Sequence, residues 1–219
     1  MTYWQAYIAL AACIPVSIAR DWQVVRLDNA TAARTGAYCL AGPGSNPAYY
    51  ISPGKNTTAF KIHFRGGGWC FSASDCYGRS QTYLGDSRLW PDVPTSEEGT
   101  DGFWSNDPAV SGQFAEFTLI WVVYCDGSSW TSDRDAPVEY NGTSLYFRGR
   151  RVLDAVLADA EQRLGLLSKS DAVIVGGTSA GGLATYLHAS YLRQRIRSQA
   201  SLRFFPDAGF FRDAADVSG

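Results

Sequence analysis

The 219 residues are 46% hydrophobic and 18% charged, with a formal net charge of −2. This length suits one α/β domain or one and a half smaller ones, and the apolar fraction is ample for a packed core. The near-neutral charge leaves no electrostatic footprint for nucleic acid, while a local basic patch for an acidic polysaccharide stays compatible with it.

Along the chain, Tyr7 to Ala19 is an almost uninterrupted apolar run, too short to span a bilayer. Ser17 and Ala19 supply the small residues of a cleavage site, and charge begins at Arg20 and Asp21. Residues 1–19 therefore read as a secretory signal, with 20–219 as the mature chain in an extracellular or cell-wall location. No other segment reads as a membrane span. AFKIHF (59–64) is a predicted strand ending abruptly in Gly66-Gly67-Gly68. Tyr77 to Gly112, rich in Gly, Pro, Ser and Asp and carrying Trp90 and Trp104, is a predicted long, irregular insertion of the kind that forms lids or binding walls. FTLIWVVY (117–124) is a continuous apolar run, as expected of a strand buried on both faces.

From Arg148 to Leu166, Val152, Val156, Ala160 and Leu164 fall on one helical stripe. AVIVGG (172–177) is another buried strand, LATYLHASYLRQRI (183–196) a helix, and LRFFPD (202–207) a further strand. The β-α-β-α-β rhythm predicts an α/β fold with a parallel sheet, flanking helices and right-handed crossovers. The chain carries 7 Trp, 12 Tyr and 11 Phe, which fits either an aromatic-lined binding surface or a core of large rings.

Cys39, Cys70, Cys76 and Cys125 lie outside the leader. Four cysteines in an oxidising compartment allow three pairings. Cys70 and Cys76 bracket a short loop that is the least demanding to close, leaving Cys39 with Cys125. The spacing is not that of a zinc site, so no metal is expected. Asn29-Ala-Thr31, Asn56-Thr-Thr58 and Asn141-Gly-Thr143 are N-glycosylation acceptors in polar, turn-like stretches.

The strongest local signal is Gly177-Thr178-Ser179-Ala180-Gly181, a G-x-S-x-G sequence with a strand before it and a helix after. The motif lifts a serine hydroxyl clear of the sheet on a strained turn, which marks Ser179 as a nucleophile. A P-loop is excluded by the missing Lys, and the spacing fails the dinucleotide fingerprint. Upstream, Arg65-Gly-Gly-Gly-Trp69 ends a strand, where a hydrolase needs amides to hold a tetrahedral oxyanion. Gly68 and Trp69, with Ala180 after the serine, are the oxyanion donors expected. Asp126 and Trp130, in the loop after the 117–124 strand, sit where ligands bind in open α/β sheets, with a solvated turn as the alternative. Arg148, Arg150 and Arg151 suit either a polyanion or simple solvation, and Arg193, Arg195 and Arg197 complement a helix C-terminus.

HFRGGGWC with a second Cys after it, YCDGSSW, GGTSAGG and FPDAGFFRDAADVSG, in that order, resemble the pectin acetylesterase/Notum family of serine carboxylesterases from about Tyr38 onward. The final block resembles the pectin acetylesterase branch more than Notum. The resemblance implies an α/β-hydrolase-like domain of which this chain is the N-terminal portion. It also implies Gly68, Trp69 and Ala180 as the oxyanion hole, a Cys70–Cys76 bridge, secretion, glycosylation, and no metal or cofactor. The implied substrate is acetylated pectin or another ester-bearing polysaccharide, with a lipid-modified protein as the Notum-like alternative. Triad order on this fold runs Ser, Asp or Glu, then His. Here no histidine follows except His188, which falls on the helix beyond the elbow, and His63 falls inside a strand. Asp207, Asp213 and Asp216 are downstream carboxylates without a histidine to orient. The expectation is an incomplete serine esterase that lacks the downstream Asp and His and so shows negligible turnover as it stands; the alternative is an inactive truncated homologue that binds carbohydrate or a partner.

Overall fold

A computed structural model describes residues 21–94 and 101–212. The expected leader, Asp213 and Asp216 lie outside these residues. The described chain forms β1 (Gln23–Arg26), α1 (Asn29–Thr35), β2 (Ala48–Ser52), β3 (Asn56–Phe64) and α2 (Ala73–Ser80). After a segment of short turns come α3 (Pro108–Ser111), β4 (Phe117–Val122), the hairpin β5 (Val138–Tyr140) and β6 (Thr143–Leu145), and α4 (Gly149–Leu164). The chain closes with β7 (Ala172–Thr178), α5 (Ala180–Arg195) and β8 (Ser201–Asp207).

Six strands make one sheet in the order β1-β2-β4-β3-β7-β8. β3, β4, β7 and β8 run parallel, as the βα rhythm predicts, whereas β1 and β2 add antiparallel strands at one edge. From β3 the chain steps to β4, then crosses back over β3 through α4 to reach β7. The strand order therefore reverses at β3, and in open α/β sheets ligands bind beyond the carboxyl ends of the strands at such a reversal.

Side-chain alternation along β3 sorts the two faces of the sheet. Phe60, Ile62 and Phe64 join Ile120, Val122, Val173 and Val175 under Val152, Val156 and Ala160 of α4 and Ala184 and Leu192 of α5. The helix stripe read from Arg148 to Leu166 is thus the buried face of α4. The helix ends at Gly165, whose left-handed backbone (φ 70°) is a common helix stop.

Lys61, His63 and Arg65 point to the opposite face. Lys61 Nζ donates to the carbonyls of Phe103 (3.2 Å) and Ser105 (2.9 Å). The Arg65 guanidinium lies over the rings of Trp90 (4.7 Å) and Tyr83 (4.9 Å). Two cations, Lys61 in β3 and Arg65 just after it, thereby hold the described parts of the expected insertion against the sheet, and Trp90 and Trp104 are buried there rather than forming an exposed wall. The disulfides are Cys39–Cys125 and Cys70–Cys76.

Candidate active site

The β7–α5 junction is a sharp elbow. Ser179 has φ 56° and ψ −119°, a conformation that costs a non-glycine residue free energy and persists only where its surroundings enforce it. Here the surroundings are glycine contacts. A Cβ on Gly177 would stand 2.5 Å from the Gly181 carbonyl carbon, one on Gly181 would stand 2.0 Å from the Phe64 oxygen, and one on Gly66 would stand 2.6 Å from the Thr178 oxygen. Only bare backbone lets β3, β7, α5 and the triple-glycine loop meet this closely. Ser179 is exposed, caps no helix amide, and its hydroxyl has no partner among the described residues. Ala180 opens α5, so its N–H lacks an intrahelical acceptor.

The loop from Gly66 to Trp69 lies beside this elbow. Arg79 of α2 donates from Nη1 to the Gly67 carbonyl (2.8 Å), and the Tyr124 hydroxyl donates to the Gly68 carbonyl (2.8 Å). In a trans peptide the N–H points opposite to the C=O. Turning both carbonyls into the scaffold therefore turns the amides of Gly68 and Trp69 the other way. No acceptor for either amide is found among the described residues. A Cβ on Gly68 would meet nothing within 4 Å, so the loop borders open space. The half-buried Trp69 ring meets Phe211 edge-on at 5.6 Å, and Phe71 and Phe210 stand exposed nearby in sequence at 85% and 89%. Two cavities of about 440 and 360 Å³ are lined by Arg26, Asn46 and Arg88, and by Ile51, Phe60 and Leu164; neither includes Ser179.

Asp126 and Trp130 do not line a binding surface. Both are wholly buried, which corrects both expectations for them, a ligand contact and a solvated turn. Trp130 packs in the main core against Tyr124 (4.7 Å) and Phe64 (5.0 Å). Asp126 accepts from the Trp130 amide (3.0 Å) and the Ser128 hydroxyl and sits against Gly149, so it ties the loop to the start of α4. Burial pushes its carboxyl above the usual range, opposed by those hydrogen bonds and by Arg79. Positive φ at Ser129 (54°) and Trp130 (57°) folds this loop inward, a feature that composition does not encode.

Both histidines are committed elsewhere. His63 is buried beside Trp104 (ring centroids 4.5 Å apart), with Nε2 3.3 Å from Thr178 Oγ1. His188 is buried on α5, Nε2 3.0 Å from the Ser129 carbonyl, and burial lowers its pKa. Among the described residues, no hydrogen bond joins either ring to the Ser179 hydroxyl. Arg148 donates to the Gly36 carbonyl, Arg150 pairs with Asp154, and Arg151 with Asp133 and Asp135, so this trio is internally engaged. Asn29, Asn56 and Asn141 are all exposed, Asn141 at the tip of the β5–β6 hairpin. Among the described residues no cluster of His, Cys, Asp or Glu suits a metal, and no helix is long and apolar enough to cross a membrane. Arg79, Tyr124 and Ser129 escaped the reading of the sequence, because their roles depend on contacts between distant segments.

Residues 20–219 match the model of the pectinacetylesterase family. The chain belongs to that family. Pectin acetylesterase 5 of Arabidopsis thaliana is 32% identical over 87% of this chain and 43% of its own length. Pectin acetylesterase 11 of the same plant is 33% identical over 99% of this chain and 52% of its own. The human palmitoleoyl-protein carboxylesterase NOTUM is 25% identical over 78% of the chain and 34% of its own length. The crystal structure of the Wnt deacylase Notum from Drosophila superposes with a TM-score of 0.72 at 22% identity, covering 89% of this chain and 55% of that one. The fold is thus α/β-hydrolase-like and the family one of carboxylesterases. The chain spans about half the length of the curated relatives it matches.

Proposed function

We propose that the chain carries the acylating half of a secreted serine carboxylesterase that removes acetyl groups from pectin. Ser179 is the nucleophile, and the amides of Gly68, Trp69 and Ala180 are the oxyanion donors. The observation that carries this reading is the exposed, unengaged serine on a positive-φ elbow beside a loop whose carbonyls are turned away. In the reaction, Ser179 Oγ attacks the ester carbonyl and the amides hold the oxygen as charge develops on it. The Ser179 proton passes to solvent, the C–O bond to the sugar breaks as the sugar oxygen takes a proton from solvent, and water then releases acetate from the acyl-serine. The Trp69–Phe211 ring pair beside the glycine loop suits the flat faces of a sugar chain. Secretion through the oxidising pathway accords with the two disulfides, and glycans would be carried on the exposed Asn29, Asn56 and Asn141.

A second reading, a homologue that binds carbohydrate without turning it over, draws on one observation: neither histidine reaches Ser179. The two are separated with p-nitrophenyl acetate, whose leaving group needs no general acid. The expected result is slow acetylation of Ser179, detected by peptide mass, with a rate that climbs with hydroxide from pH 7 to 9 instead of levelling near the histidine pKa. Ser179→Ala should abolish it. A parent chain that acquires no more acetyl than Ser179→Ala would leave the binding reading in place. A plateau near pH 7 would mean that a histidine acts as base after all.

A further inference from the structure

Ser129 lies at the centre of the contacts that join the two halves of the proposed oxyanion hole, and all of its polar atoms are engaged. Its N–H donates to the Tyr124 phenol oxygen (3.1 Å), and that phenol donates to the Gly68 carbonyl (2.8 Å). Its hydroxyl accepts from the Trp69 indole Nε1–H (2.8 Å) and donates to the Ala180 carbonyl (2.8 Å). Its carbonyl lies 3.0 Å from His188 Nε2, which must carry the proton for the bond to form. Ser129 is 1% exposed and held at φ 54°.

We propose that Ser129 is a positioning residue that sets the separation between the loop amides of Gly68 and Trp69 and the elbow amide of Ala180. The inference rests on the oxyanion reading above and adds a residue to it. The glycine loop follows β3 and the elbow follows β7, so nothing in the covalent chain fixes their spacing. Glycines make the approach possible, but they also leave the loop free to shift. The Ser129 hydroxyl bridges the two directly, accepting from the loop and donating to the elbow. Its backbone reaches Gly68 through Tyr124, so two residues of the loop and one of the elbow share a single anchor. His188 fixes the anchor from α5, which gives this buried histidine a structural task. Donors aimed at an oxyanion stabilise a transition state only when placed to within a fraction of an ångström.

The test measures acetylation of Ser179 by p-nitrophenyl acetate over a range of ester concentrations, in the full 219-residue chain. Ser129→Gly is the informative variant, because glycine accepts φ 54° without strain and only the small hydroxymethyl group is lost. Tyr124→Phe removes the phenol bridge and serves as the second variant. Leu157→Ala, in the core beneath α4, lowers stability without touching the site. The expected result is a maximal rate reduced about 10- to 100-fold in Ser129→Gly, with half-saturation within about twofold of the parent and Leu157→Ala unchanged. Tyr124→Phe should show the same split. The Trp69 indole N–H resonance should lose protection from solvent exchange in Ser129→Gly. A Ser129→Gly chain that keeps the parent rate overturns the inference, and so does an equal loss in Leu157→Ala. A parent chain that never acetylates Ser179 defeats the oxyanion reading first and removes this role with it.

Discussion

Replacing Gly181 with alanine places a methyl carbon 2.0 Å from the carbonyl oxygen of Phe64 and 2.6 Å from its carbonyl carbon. Ordinary contact begins near 3.4 Å, so α5 and β3 must part by more than an ångström. Both neighbours are backbone, and β3 is clamped between β4 and β7, so no flexible side chain can yield. Overpacking of this kind costs about 1–3 kcal/mol, and the rigid setting puts Gly181 at the upper end. Removing a helical glycine returns up to about 1 kcal/mol. The net expectation is a loss of about 2 kcal/mol, or a melting temperature lower by about 4–8 °C for a chain of this size. Gly78→Ala in α2 is the matched contrast, because its new methyl would meet nothing within 4 Å. That variant should gain about 0.5–1 kcal/mol from propensity alone. Urea unfolding followed by tryptophan fluorescence compares the two on one scale. Equal stability of Gly181→Ala and Gly78→Ala would refute the close-packed elbow.

Two other expectations concern the frame around the elbow. Cys39–Cys125 closes a loop with a sequence separation of 86, and Cys70–Cys76 one of 6. On chain entropy, the Cys39→Ala/Cys125→Ala double variant should lose about 4.5 kcal/mol and the Cys70→Ala/Cys76→Ala variant about half that; equal losses in denaturant titrations would count against the entropic account. His188 has a folded pKa below its unfolded value of 6.5, because burial disfavours the charged form. The unfolded chain therefore takes up the proton first, so this contribution is present above about pH 6.5 and is lost as pH falls toward the folded pKa. The parent should exceed His188→Gln in stability at pH 7, and the gap should narrow by pH 5. A gap that widens on acidification would show that His188 is charged in the folded chain.

Much of the central frame was legible from local pattern. The run 117–124 marks a strand buried on both faces, and β4 occupies Phe117–Val122 of it. G-x-S-x-G between a strand and a helix located the elbow, although α5 begins at Ala180 rather than Leu183, because the motif itself forms the first turn. The antiparallel edge was missed. β2 is only Ala48–Ser52, set between Pro47 and Pro53, with no alternation to reveal it. The β5–β6 hairpin turns on Asn141-Gly142, at φ 49° and 71°, yet those residues also spell a glycosylation acceptor and were read as that. Trp130 shows a different limit. A loop rich in Ser, Asp and Gly implies exposure, and only left-handed backbone at two non-glycine residues turns the indole into the core. Ser129 lay in the same blind spot, since a bridge between two strand ends has no period along the chain.

The short bridge Cys70–Cys76 follows directly on Trp69, and its Sγ at Cys70 would stand 2.8 Å from a Cβ on Gly127. The Cys70 amide also donates to the Gly127 carbonyl at 3.3 Å. The thiol chemistry of the host thus becomes part of the experiment. Protein made in a reducing cytosol would lack both bridges, so the glycine loop would lose its staple in a frame already weakened by the loss of Cys39–Cys125. Such material could melt cooperatively and still give misleadingly low reactivity. Purification through a periplasm or an endoplasmic reticulum, with a free-thiol count before every rate measurement, separates an unassembled cradle from an inactive one.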